Sequence, residues 1–168
     1  MRLEPFGSEH IDALRVFIGD PEILRFTRIP VPTPPDFLET WLARYEDGRR
    51  DGSRDAFAAL DDDGTLLGLA LVPSFDREAG EVELGYIVAP AARGRGVATA
   101  ILRELTRWAF EQGALRAELV IDVDNPASER VAARCGYVRE GVMRSIHLKG
   151  DQRVDATLWS RLPSDPEV

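Results

Sequence analysis

The sequence of 168 residues predicts a mixed α/β (α+β) fold with about six to seven strands and about four helices, on three observations. First, Val82–Val88, a Gly/Arg loop, a helical stretch over 95–112 and Arg116–Val123 read as a strand–helix–strand unit, whose two strands run parallel with a right-handed crossover. Second, Ala56–Leu60 and Thr65–Phe75 flank Asp61-Asp62-Asp63-Gly64, as two strands flank a hairpin turn. Third, apolar residues recur at helical spacing in two stretches: Phe37, Leu38, Trp41, Leu42 and Tyr45, then Ala98, Ile101, Leu102, Leu105, Trp108 and Ala109.

The remaining elements follow in chain order. Leu3–Phe6 reads as a short strand, and Ser8 as the cap of a helix carrying Ile11, Leu14, Val16 and Phe17. The proline-rich stretch Arg25–Pro35 reads as a mobile loop on the substrate side. Thr33 caps the next helix, with Pro34 in its first turn. The polar run Asp47–Asp55 reads as a loop. Tyr86-Ile87-Val88-Ala89 is a short apolar run that Pro90 ends, and Gly113 stops the helix after it. Asn125 caps a helix over Pro126–Arg134. Tyr137–Leu148 and Arg153–Leu162 close the sheet as an antiparallel pair around Lys149-Gly150-Asp151, and the polar tail beyond Leu162 frays.

Composition narrows the function. The length suits one domain, taken as residues 1–168. No run of eighteen or so apolar residues occurs, so no membrane span is expected, and Met1-Arg-Leu-Glu-Pro5 lacks the apolar core of a signal peptide. A cytoplasmic location is the expectation. The one cysteine, Cys135, reads as a small core residue, and two histidines far apart give no metal-ligand spacing. Charge is divided along the chain. Residues 1–90 carry nine Lys/Arg and eighteen Asp/Glu, residues 91–150 carry ten and seven. A basic half suits an anionic ligand and an acidic half a cationic one. No basic stripe with interleaved aromatics points to direct nucleic-acid binding.

Arg93-Gly94-Arg95-Gly96 lies between strand and helix. Glycine permits close backbone approach and φ > 0. The first helical N–H groups lack internal partners, and the helix dipole is positive there. The arrangement suits a phosphate or diphosphate. It is not a P-loop, which needs Gly-Lys-Ser/Thr. It departs from the dinucleotide fingerprint, which counted from Gly94 needs glycine or alanine at Thr99.

Arg93-x-x-Gly96-x-Ala98 after Val82–Val88 resembles the acyl-CoA signature of the GNAT superfamily of N-acyltransferases. Asn125-Pro-Ala-Ser128…Gly136-Tyr137…Gly141 resembles the downstream segment of the same family. The branch that the chain resembles most is that of the ribosomal-protein alanine N-acetyltransferases. The resemblance implies a parted parallel strand pair in the sheet. It implies an acyl-CoA-binding core over about 81–141, an acceptor side over about 1–80 and closing strands over about 142–162. Acetyl-CoA is then the co-substrate and no metal is used. Backbone across Arg93, Gly94, Arg95, Gly96, Val97, Ala98 and Thr99 would grip the diphosphate. Backbone at Ile87 and Val88 would pair with the pantetheine arm, which Asn125 would also touch.

Glu83 is the general-base candidate. Strand alternation puts it on one face with Gly85 and Ile87, opposite Val82, Leu84 and Tyr86. An acid inside a strand is uncommon, and relatives place a glutamate here to take the amine's proton. Many relatives carry an acidic tyrosine where this chain has Ala132. The branch it resembles more has a serine, here Ser128, to protonate or hold the CoA sulfur. Phe26, Trp41, His147 and Asp155 are candidates to border the amine. The expected reaction is direct acetyl transfer from acetyl-CoA to a primary amine, either a protein α-amine or a small molecule, with a homodimer as a possible assembly. The alternatives are a non-catalytic acyl-CoA-binding or regulatory domain, transfer of another acyl group such as succinyl, and a nicotinamide-binding oxidoreductase, which the fingerprint mismatch disfavours.

Overall fold

The computed structural model describes residues 1–166. Among them, β1 (Arg2–Pro5), β2 (Asp55–Leu60), β3 (Leu66–Asp76), β4 (Glu81–Val88), β5 (Arg116–Asp122), β6 (Val138–Lys149) and β7 (Gln152–Arg161) form one sheet. Its order is β1-β2-β3-β4-β5-β7-β6. Only β4 and β5 are parallel; every other neighbouring pair is antiparallel. The parallel pair follows from its connection, α4 (Val97–Glu111), since a helical crossover returns the chain to the same end of the sheet.

Helices cover both faces. α1 (Ile11–Phe17), α2 (Pro21–Phe26) and α3 (Phe37–Asp51) lie on one side. There Leu14, Ile23, Leu38 and Leu42 bury against Ala56, Ala58, Leu69 and Ile87. On the other side α4 and α5 (Pro126–Arg134) bury Ile101, Leu102, Leu105 and Ala132 against Val82, Leu84, Ala117 and Leu119. Leu102 and Leu105 are fully buried, each stabilising the fold by about 1.5–3 kcal/mol relative to exposure. Cys135 lies in this second core, as expected, and burial pushes its thiol up.

Five expectations are corrected. Ser8 caps nothing: Ser8–His10 is a single 3-10 turn, α1 begins at Ile11 without a side-chain cap, and Val16 points to solvent. A fifth helix, α2, takes the start of the supposed loop Arg25–Pro35. Its signal was present, because the Asp20 carboxylate accepts the N–H groups of Glu22 and Ile23 and Pro21 fills the first turn. Asp36, not Thr33, precedes α3; the Thr33 hydroxyl donates to the Pro30 carbonyl at 2.9 Å. The polar run from Asp47 is helical to Asp51, and Gly52 ends it at φ 79°. Contacts across the fold fix that last turn: Arg49 bonds the Asp55 carboxylate at 2.6 Å and the Ala56 carbonyl at 2.7 Å. The tail opens with a turn instead of fraying at once, since Leu162 N–H reaches Asp165 at 2.8 Å and Asp165 N–H reaches the Leu162 carbonyl at 3.1 Å. Residues 167–168 of that tail lie outside the described residues.

Candidate active site

β4 and β5 pair only at their first residues, Glu81 with Arg116, Val82 with Ala117 and Glu83 with Glu118. Beyond Glu83 they separate. Each stays anchored on its far side, β4 to β3 as far as Val88 and β5 to β7 as far as Asp122. β3 carries one extra residue between Leu71 and Ser74, opposite the step from Gly85 to Glu83. The parting starts at that level, and such a bulge bends a strand and increases its twist. The inner edges beyond are left without ladder partners, a costly state for backbone groups unless a ligand pairs with them. A cavity of about 110 Å³ fills the gap, lined by both strands with Asn125 and Ser128.

Two larger cavities share Phe26 and Tyr86 with this gap. The first, of about 370 Å³, is bounded by Ile87, Val88, Arg93, Gly94, the stretch Gly96–Thr99, Asn125, Ser128 and Arg134. Gly94 and Gly96 hold φ of 72° and 80°. No heavy atom lies within 4 Å of where either Cβ would stand, so backbone conformation, not crowding, requires glycine. The first helical bond of α4 runs from Ala100 N–H to the Gly96 carbonyl at 3.0 Å. The N–H groups of Val97, Ala98 and Thr99 therefore stand ahead of the helical ladder at its positive end. Such a helix start has the geometry that takes an anion.

The arginines around it are unequally placed. Arg93 is already engaged with Asp20 at 2.6 Å and Glu22 at 3.0 Å. It clamps the start of α2 onto the loop and holds the Asp20 carboxyl below its ordinary value. Arg95 is exposed and lies outside the cavity lining. Arg134, in the last turn of α5, lines the cavity without an ion pair among the described residues. Sequence reasoning missed it, although one more turn of the helix begun at Asn125 would have brought it to the same flank as Val131. Asn125 caps α5 as predicted, its side-chain oxygen accepting Ser128 N–H at 3.1 Å.

Tyr86 was also passed over. Its ring packs against the core beneath α4, while its hydroxyl is buried without a hydrogen-bond partner among the described residues. Burial pushes the phenol up to about 12, an effect that the neighbouring Ser128 hydroxyl partly offsets. The two oxygens are close enough to influence each other but do not form a hydrogen bond of normal geometry. Alternation alone gave the face of Tyr86; the parting of the strands is what makes the residue part of the gap lining.

The second cavity, of about 490 Å³, lies on the α3 side. Its wall includes an aromatic ladder along α3: Phe37 and Trp41 stack with centroids 6.3 Å apart, and Trp41 meets Tyr45 edge-on at 5.0 Å. Glu83 and Asp122 are its carboxylates. Arg28 donates to Glu83 at 3.3 Å and to His147 Nε2 at 3.1 Å. An arginine only donates, so His147 Nε2 accepts, and His147 Nδ1–H donates to Asp122 at 2.9 Å. Lys149 completes the chain with an ion pair to Asp122. Phe26, Trp41 and His147 line this cavity as anticipated, but Asp155 lines neither. Asp155 instead accepts the N–H of Ser145, a residue at φ 53° in the irregular part of β6, at 2.8 Å. The acidic character of residues 1–90 is not turned toward this cavity: of their carboxylates only Glu83 lines it.

No helix among the described residues is long and apolar enough to cross a membrane, and no three His/Cys/Asp/Glu side chains among them cluster as metal ligands. Comparison with known proteins agrees with the geometry. Residues 1–138 match the model of the acetyltransferase (GNAT) domain family. The Bacillus subtilis protein YdaF is 35% identical over 62% of this chain and 58% of its own length. The L-amino acid N-acetyltransferase AaaT of Escherichia coli is 28% identical over 90% of this chain and 91% of its own. The solved structure of RimL, a ribosomal L7/L12 alpha-N-protein acetyltransferase in complex with coenzyme A, superposes with a TM-score of 0.87 at 18% identity, covering 95% of this chain and 92% of that one. A strand pair parted beside a glycine-rich helix start, in a chain whose first 138 residues fit that family, makes this protein a member of the GNAT acetyltransferases, an acyl-CoA-dependent N-acyltransferase.

Proposed function

We propose that the chain moves an acetyl group from acetyl-CoA to a primary amine by direct attack, with Glu83 as base and the Ser128–Tyr86 pair facing the departing sulfur. The supporting observation is the gap between β4 and β5, which joins a cradle for a diphosphate to a separate cavity holding a carboxylate. Backbone N–H groups at Val97–Thr99 bind the diphosphate, and Arg134 adds charge. The unpaired edge at Ile87 and Val88 receives the pantetheine arm as an added strand. The amine enters from the second cavity and gives its proton to Glu83, directly or through one water. Its nitrogen then bonds to the thioester carbon, and backbone N–H near Val88 stabilises the oxyanion. The C–S bond breaks as the nitrogen sheds its second proton, which reaches the thiolate through Ser128 or Tyr86, so that the relaying hydroxyl gives one proton and regains one. No covalent enzyme intermediate is required.

The named relatives span both acceptor classes anticipated from sequence, L-amino acids for AaaT and a ribosomal-protein α-amine for RimL. We read the location as cytoplasmic. The edge strand β6, with Val138, Val142 and Leu148 exposed, is where a second copy would pair in a homodimer. The test of the reaction is Glu83→Gln, assayed by mass spectrometry of acetylated amines and by calorimetry with acetyl-CoA. Turnover falls about 10²–10⁴-fold while acetyl-CoA affinity is retained. Unchanged turnover removes Glu83 from the mechanism; binding without transfer to any amine, in the unsubstituted protein, supports a non-catalytic acyl-CoA sensor instead.

A further inference from the structure

The second cavity holds more positive charge than the reaction needs. Its carboxylates are Glu83 and Asp122, and its cations are Arg28, Arg44, Arg54 and Lys149. Arg28 is paired with Glu83 and Lys149 with Asp122. That leaves Arg44 and Arg54, whose guanidinium groups make no ion pair or hydrogen bond among the described residues. Sequence had suggested the opposite, an acidic surface for a cationic amine. A polyamine entering here would meet two exposed guanidinium groups to which no carboxylate is bonded among the described residues.

The two arginines are built into one corner. Arg44 lies on α3 one turn before Gly48. A Cβ at Gly48 would stand 2.4 Å from Arg54 Cβ, so the Arg54 stem lies hard against the helix backbone at that turn. Arg54 is the residue before β2. Asp55 pairs with Val72, and Ser74 pairs with Glu83. Arg54 and Glu83 are therefore carried by strands two apart in the sheet, about 10 Å between backbones. Tyr45 lines the same cavity; burial first, and then the charges of Arg54, Glu83, Arg44 and Arg28, act on its phenol. The wall linking the two ends is apolar and aromatic, formed by Ile29, Trp41, Tyr45 and Leu71.

We propose that Arg44 and Arg54 form an anion subsite, and that the acceptor is a small amine carrying its own carboxylate. This rests on the reading of Glu83 as the base that receives the amine. With the amine at Glu83, a carboxylate a few bonds away meets a guanidinium, whose planar fork matches it in two parallel hydrogen bonds. An apolar side chain lies along the aromatic wall. Spermidine and other polycations are poor acceptors, as are peptides, whose carboxylate lies too far from the reacting amine.

The test compares kcat/KM for free apolar and aromatic amino acids, their carboxamides, short peptides and spermidine. In the unsubstituted protein the amino acid exceeds its carboxamide by about tenfold or more, the order of one charge-assisted contact. That holds even though the carboxamide has the less basic, more freely deprotonated amine. In the double variant Arg44→Gln/Arg54→Gln the ratio falls to one or below, chiefly through KM, and Arg44→Lys/Arg54→Lys restores part of it. Carboxamides, peptides or spermidine acetylated as well as the amino acids would overturn the subsite while leaving the transfer reaction standing. A ratio unchanged in the double variant overturns it equally. Acetyl-CoA binding with no amine acetylated removes the reaction and the subsite together.

Discussion

Replacing Tyr86 by phenylalanine separates stability from catalysis. The hydroxyl is buried and has no partner among the described residues, and the residue lines the gap between β4 and β5. An unsatisfied buried polar group costs about 1–3 kcal/mol, and Phe removes that cost without changing the ring that packs beneath α4. For a chain of 168 residues, about 1 kcal/mol corresponds to roughly 2–4 °C. Tyr86→Phe therefore melts at least ~2 °C higher than the unsubstituted protein. The same change removes a donor to the leaving thiolate. A hydrogen bond to a charged group is worth about 1.5–3 kcal/mol, so kcat falls about 10- to 150-fold while acetyl-CoA affinity is retained. Burial pushes the phenol up to about 12, so the donor stays protonated through neutral and mildly alkaline pH and adds no titration near 10. Scanning fluorimetry gives the first quantity and a thiol-release assay the second. A variant that melts lower and turns over normally would refute the reasoning, because the hydroxyl would then be satisfied in solution and idle in the reaction. A rise in Tm with full kcat would leave Ser128 or water to serve the sulfur.

Two further outcomes follow from the geometry. Gly96→Ala places a Cβ at φ 80° in open space, so it costs about 1–2 kcal/mol of stability through backbone strain alone; calorimetry should show acetyl-CoA affinity falling about tenfold or more, as the Cβ enters the space where the backbone meets the diphosphate. Unaltered affinity would mean that the loop does not approach its ligand closely. Glu140 is held at about 2, below its ordinary 4.5, first by the Arg116 guanidinium and then by the Ser160 hydroxyl. A lowered folded-state value stabilises the protein above pH 4.5, and the contribution is lost as pH falls from there toward 2. Glu140→Gln should flatten the acid limb of a Tm-against-pH curve over that window; an unchanged limb would show that the Arg116 pair contributes nothing.

Local chemistry made much of the molecule legible. Asn125 followed by Pro126 announced α5 with its cap, and the alternation in Val82–Val88 put Glu83 and Tyr86 on opposite faces. The spacing of Ile101, Leu102 and Leu105 fixed the buried side of α4, and Gly94 and Gly96 marked the left-handed turns before it. Each of these is set by neighbours within one or two turns, or by the period of the element itself, and so is written in the order of the residues. The helix α2 was legible too, from Asp20 and Pro21, and was overlooked.

What the tertiary structure decided depends on residues far apart in the chain. The bulge in β3 sets the level at which β4 leaves β5, and it takes pairing across two loops to create that gap. Arg93 stands in the loop read as a diphosphate grip, yet Asp20 and Glu22, some seventy residues earlier, claim its side chain. Glu83, Arg28, His147, Asp122 and Lys149 form one polar chain drawn from four separate parts of the sequence. Charge counted along the chain also misled. The acidic excess of residues 1–90 faces solvent, while the cavity beside Glu83 is ringed by arginines. Helices, turns and strand faces follow short-range sterics and periodicity, which a sequence records directly. The ownership of a charge and the opening of a cleft are settled only when distant side chains compete for the same partner in space.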